Sequence, residues 1–76
     1  MSNSEQLRNL ICEILGVQLE ALSFESGMGN PPEWDSFAQI SIMVAAEEKW
    51  SVQFSPIEIG ENTEFNLILA LIESKL

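Results

Sequence analysis

Glu33-Trp34-Asp35-Ser36-Phe37-Ala38-Gln39-Ile40 lies near the middle of the chain, where a run of helix breakers gives way to an apolar helical segment. Gly27, Gly29, Asn30, Pro31 and Pro32 precede it, and Ile42, Met43, Val44, Ala45 and Ala46 follow. Asp and Ser are both strong helix N-caps, because a side-chain oxygen can accept from a free amide of the first turn. The junction therefore predicts a helix over 36–50. Asp35 is a cap, Ser36 and Gln39 have the spacing of a second capping box, and Trp34 suits a hydrophobic staple just before it. Ile42, Ala46 and Trp50 share one face of this helix, while Phe37, Ile40 and Val44 lie on a neighbouring face. A helix apolar on more than one side is either wrapped by others or touches a ligand or partner. Glu47 and Glu48 restore polarity near its end.

Upstream, Ser2 and Glu5 form a capping-box pattern, and Leu7, Leu10, Ile11, Ile14 and Leu15 recur at helical spacing. A helix over 3–15 follows, ended by Gly16, which takes a left-handed C-terminal conformation at low cost. Cys12 falls off the main stripe and reads as a small, partly buried filler. Residues 16–35 form a long connection, which Val17, Leu19, Leu22 and Phe24 are expected to pin onto the bundle. Downstream, Ser51-Val52-Gln53-Phe54 alternates, but no second strand is available to pair with it, so an extended connector is expected. Ser55-Pro56 starts a short helix that Gly60 is expected to stop. Asn62 or Thr63 should cap the last helix, with Glu64 in its first turn and Phe65, Ile68, Leu69 and Ile72 as its core stripe. Leu67 and Leu71 lie off that stripe; burial against the long loop explains them, with a weak self-association patch as the lesser alternative. The expected fold is all-α: one domain over 1–76, a bundle of three main helices plus one short helix, with a long loop between the first two.

The chain has 76 residues, twelve acids against three bases (Arg8, Lys49 and Lys75) and a net charge of −9. Phosphate backbones and anionic lipid surfaces would repel it, which argues against nucleic-acid binding. Partners with basic surfaces would be attracted at long range. The 46% hydrophobic content and its patterning argue against disorder. One cysteine and no histidine rule out a disulfide framework and a cysteine-based metal site. Met1-Ser2-Asn3-Ser4 lacks the features of a signal peptide and no apolar run reaches a membrane span, so a cytoplasmic monomer is expected.

A helix N-terminus presents free amides and partial positive charge, so it accommodates a phosphate. A serine there could be a cap alone, or it could offer its hydroxyl to another enzyme. Nothing activates Ser36 as a nucleophile: the chain has no histidine and no Gly-x-Ser-x-Gly elbow. The chain is therefore not expected to be an enzyme, and any chemistry at Ser36 would be done by another protein.

Asp35-Ser36-Phe37, then Ile40, Ile42-Met43-Val44-Ala45 and Glu47-Glu48-Lys49-Trp50, resembles the acyl carrier protein family, whose signature is Asp-Ser-Leu, an apolar helix and an acidic pair before an aromatic residue. The resemblance extends over nearly the whole chain. It implies that Ser36 carries 4′-phosphopantetheine, transferred from coenzyme A by a separate phosphopantetheinyl transferase, and that Asp35 helps present the site. Acyl or aminoacyl intermediates would ride on the arm as thioesters, placed there by a loading ligase and handed to acyltransferases or synthases. Tethering raises their effective concentration at successive enzymes. Phe37, Ile40, Val44, Glu47 and Glu48 would form the docking face for basic partner surfaces. Several positions depart from the family pattern. Phe37 replaces the usual Leu, Ala38 and Ser41 stand where fatty-acid carriers have acids, and Ala46 is small where the family has a larger apolar residue. Trp34 ahead of the Asp resembles freestanding carriers of specialised bacterial pathways more than the primary fatty-acid carrier. An acidic helical adaptor that kept this fold without the prosthetic group is the alternative.

Overall fold

The structure, a computed structural model, describes residues 1–76. Its elements are α1 (Asn3–Leu15), a single 3-10 turn (Leu19–Ala21), α2 (Ser36–Trp50), α3 (Pro56–Glu61) and α4 (Phe65–Lys75). No strand forms, and the fold is the expected all-α bundle of three main helices and one short helix. No helix is long and apolar enough to cross a membrane.

Local chemistry starts and stops most of these helices. In α1, Ser2 Oγ accepts from the Glu5 amide at 3.1 Å, and Glu5 Oε1 accepts in return from the Ser2 amide at 3.2 Å. These bonds to Ser2 hold the Glu5 carboxyl below its ordinary pKa. Gly16 closes the helix at φ 71°, a conformation that suits a residue without Cβ. Leu7 and Ile11 are fully buried, with Leu10, Ile14 and Leu15 half-buried around them. Cys12 is a correction: it is buried in the core rather than peripheral, because the connection after Gly16 folds back over it and brings the Gln18 carbonyl to 3.7 Å from Sγ. Burial pushes its thiol pKa up, and nearby Arg8 only partly offsets this.

The apolar core gathers Leu7 and Ile11 from α1, Leu22 and Trp34 from the long loop, Ile42, Met43 and Ala46 from α2, and Phe65, Ile68 and Ile72 from α4. Trp50 Nε1 donates to Asn3 Oδ1 at 3.1 Å, which joins the end of α2 to the start of α1. Of the four loop residues expected to pin the connection, Leu22 does so fully and Val17 in part. Leu19 stays exposed; Phe24 is partly exposed, but its ring meets the buried Phe65 ring edge-on at 5.5 Å, so it pins the loop in part, alongside backbone bonds and Trp34. Leu71 packs against the core, whereas Leu67 remains exposed.

Two helix ends differ from expectation. Helix α3 begins with the expected Ser55–Pro56 start, reinforced by a capping box with Glu58, whose carboxyl is held low chiefly by the Ser55 amide and also by Lys75. It runs through Gly60, which has helical neighbours and open space around it, and ends one residue later. Asn62 makes the stop: its backbone leaves the helical region and its Nδ2 donates to the Glu58 carbonyl at 2.8 Å. Helix α4 begins with Glu64 as N-cap, not Asn62 or Thr63, and has no side-chain cap. The long loop supplies the missing acceptor: the Phe65 amide donates to the Ser26 carbonyl at 2.9 Å, and the Met28 amide donates to the Thr63 carbonyl at 2.8 Å. This pairing places the loop so close that a Cβ on Gly27 would stand 2.8 Å from the Thr63 carbonyl oxygen. Only glycine fits there without a shift.

Candidate functional site

The loop-to-helix junction is held from behind. Asn30 and Gly27 exchange backbone hydrogen bonds, the Gly29 amide donates to the Trp34 carbonyl at 2.8 Å, and the Trp34 amide donates to the Pro31 carbonyl at 3.0 Å. The Asn30–Pro31 peptide bond is cis. Trp34 is fully buried beneath this loop. Its Nε1 donates to Gln39 Oε1 at 2.9 Å, so the contact expected to be a hydrophobic staple is a buried hydrogen bond.

Asp35 is the cap. Its Oδ1 accepts from the Ala38 amide at 2.8 Å, which leaves Ser36 as the first residue inside α2. The second capping box, Ser36 with Gln39, is not formed, because the Gln39 side chain turns inward. Gln39 is 2% exposed, and its Nε2 donates to the Ile59 and Asn62 carbonyls at 2.9 and 2.8 Å. One amide thus ties the start of α2 to the loop and to α3. Each of these buried groups left unpaired would cost about 1–3 kcal/mol, so the junction resists opening. Ser36 is exposed, its hydroxyl makes no hydrogen bond within the chain, and the side chain projects from the first turn of α2.

Around Ser36 the surface is apolar. Phe37 is 78% exposed, Ile40 55% and Val44 48%, and they form one stripe along α2. The neighbouring face carrying Ile42 and Ala46 is buried. Helix α2 is therefore not wrapped on all sides, and its second apolar face is open. One exposed apolar residue beside Ser36 is not singled out by the sequence: Met28 from the loop. It has no helical period that would mark it. A groove of about 340 Å³ opens next to Ser36, lined by Met28, Gln39, Ile40, Pro56 and Ile59.

The candidate docking acids divide. Val44, Glu47 and Glu48 line a second, shallower concavity of about 480 Å³ farther along α2. Glu48 is exposed. Glu47 is half-buried, and its Oε2 accepts from the Phe54 amide at 2.7 Å, which fixes the connector between α2 and α3. Glu47 therefore has a structural task that its sequence position does not announce. Glu47→Ala is expected to lower stability by about 1.5–3 kcal/mol, the usual range for a hydrogen bond to a charged group. Glu48→Ala should stay within about 0.5 kcal/mol of wild type. Urea denaturation of both variants checks this, and equal stabilities would refute the division.

The three bases lie apart from Ser36 in their partners. Arg8 Nη2 donates to the Leu19 carbonyl at 2.6 Å, Lys75 pairs with Glu58 at 3.3 Å, and Lys49 packs over the Trp50 ring at the far end of α2. A phosphate-bearing group on Ser36 fits the junction: the side chain is exposed, and a helix N-terminus supplies free first-turn amides and partial positive charge. No protein-family model matches the chain, and a search of curated proteins finds no relative.

Proposed function

We propose that this chain is a carrier protein that holds acyl or aminoacyl intermediates as thioesters on a 4′-phosphopantetheine arm attached to Ser36. The observation that carries the proposal is the state of that serine. It is exposed, unbonded, and freed from capping by Asp35, at the rigid start of a helix whose adjoining face is open and apolar. The resemblance of Asp35-Ser36-Phe37 and the following helix to the acyl carrier protein family supports the same role. Asp35 presents the site by fixing the first turn. When bound, the arm supplies the thiol on which cargo is carried; the protein's own residues position it and meet its partners.

Phe37, Ile40 and Val44 offer apolar contact to those partners, and Glu48 is the acid best placed to meet a basic surface. The partners in this proposal are a phosphopantetheinyl transferase, a loading ligase and acyltransferases or synthases, with the chain working in the cytoplasm. Basic surfaces would be steered toward a chain of net charge −9, an effect that weakens as salt screens it.

The test is direct. Incubation with coenzyme A, magnesium and a promiscuous phosphopantetheinyl transferase is expected to add one arm, read by intact mass, with proteolytic mapping to Ser36. A folded protein whose mass is unchanged across several transferases would replace this proposal with that of an unmodified acidic adaptor.

A further inference from the structure

Gln39 occupies the position from which a group tethered at Ser36 would pass into the bundle. It lines the groove beside Ser36, and one turn further along α2 the same face carries Ile42 and Met43, both fully buried in the core. The way from groove to core runs between α2 and α3. That seam is bridged by the Gln39 amide, which donates to the Ile59 and Asn62 carbonyls and accepts from the Trp34 indole. Parting the helices would strand two backbone acceptors and the Gln39 Nε2 donors in an apolar interior. Several buried methylenes would be needed to offset that.

The outer groove is a different environment. Its walls are Met28, Ile40, Pro56 and Ile59, its volume is about 340 Å³, and the Gly60 position leaves space on the α3 side. A small apolar group can rest there without disturbing any hydrogen bond.

We infer that Gln39 bars the bundle interior to cargo, so that this carrier handles short acyl or aminoacyl groups held in the outer groove rather than long aliphatic chains enclosed in the core. The inference rests on the carrier function proposed above, and it makes Gln39 a specificity-determining residue.

The experiment uses the full chain, loaded at Ser36 by transfer from acetyl-, butanoyl- and octanoyl-coenzyme A. Thermal midpoints and backbone amide spectra are compared with those of the protein bearing the arm alone. For wild type, midpoints are expected to stay level along the series, with amide shifts confined to the groove around Met28, Ile40 and Ile59. In Gln39→Met, which keeps the side-chain bulk and removes all three hydrogen bonds, the octanoyl form should gain about 4 °C or more over the acetyl form. Its amide shifts should then reach Ile42, Met43 and Ile68. An octanoyl-dependent gain and core shifts in wild type would overturn the inference, as would a level series in a folded Gln39→Met. If that variant does not fold, the wild-type series still decides whether the core is barred. If no transferase modifies Ser36, the carrier proposal itself fails. The barrier is then read separately, by alkylating Ser36→Cys in a Cys12→Ala background with the same range of chain lengths.

Discussion

Trp34→Ala is expected to remove most of the stability of the fold. Trp34 is fully buried and is the largest side chain in the core, although it belongs to a loop and not to a helix. Truncating a buried aromatic residue to alanine costs about 3–5 kcal/mol through lost burial and the cavity left behind. Here the indole also satisfies Gln39 Oε1, and leaving that acceptor unpaired adds about 1–3 kcal/mol. A domain this small has little reserve, since single domains are stable by about 5–15 kcal/mol and short chains fall at the low end. Urea denaturation followed by far-ultraviolet circular dichroism should show the cooperative transition shifted to very low denaturant or absent. Trp34→Phe separates the two contributions, because it keeps most of the bulk and loses only the donor. It should fall between wild type and Trp34→Ala. An alanine variant as stable as the phenylalanine variant would mean that burial of this ring contributes nothing.

The importance of Trp34 also shows which parts of this protein are legible in its sequence. Helix ends governed by neighbours in the chain are. Ser2 with Glu5, Ser55 with Pro56, and Gly16 all act within one turn, and each does what its spacing predicts. The stripe of Phe65, Ile68, Leu69 and Ile72 is equally local, being fixed by helical periodicity alone. Features set by distant partners are not legible. The start of α4 depends on the Ser26 carbonyl, and the burial of Cys12 on the fold-back that brings Gln18 over it. Glu47 is drawn into structure by the Phe54 amide, across a connector whose path no local pattern specifies.

The candidate site divides in the same way. The sequence marks the junction, but Asp35 and Ser36 are both competent caps, and their types do not decide between them. The decision comes from Gln39. Had its side chain remained at the surface, it could have reached back to complete a capping box with Ser36. Its three buried hydrogen bonds hold it inside, and Asp35 takes the Ala38 amide. A polar residue at a core-facing position of α2 thus leaves the serine hydroxyl uncommitted. That link runs from packing to function and could not be seen from spacing.

This separation of roles makes Ser36→Ala and Asp35→Ala opposite in effect. Ser36→Ala is expected to abolish addition of the phosphopantetheine arm completely, since no other residue offers a hydroxyl at this point of the junction. Its stability should remain within about 0.5 kcal/mol of wild type, because the hydroxyl makes no bond and alanine is favourable in the first turn of a helix. Asp35→Ala keeps the hydroxyl and removes the cap, so it should lose about 0.5–2 kcal/mol. The arm should still be added, more slowly, because the first turn that presents Ser36 is frayed. Intact mass over a time course and urea midpoints of the same samples read both effects. If Ser36→Ala were strongly destabilising, the serine would be the working cap and its availability to a transferase would be lost as an explanation. If Ser36→Ala still accepted an arm, attachment at this junction would be refuted, whatever the fold.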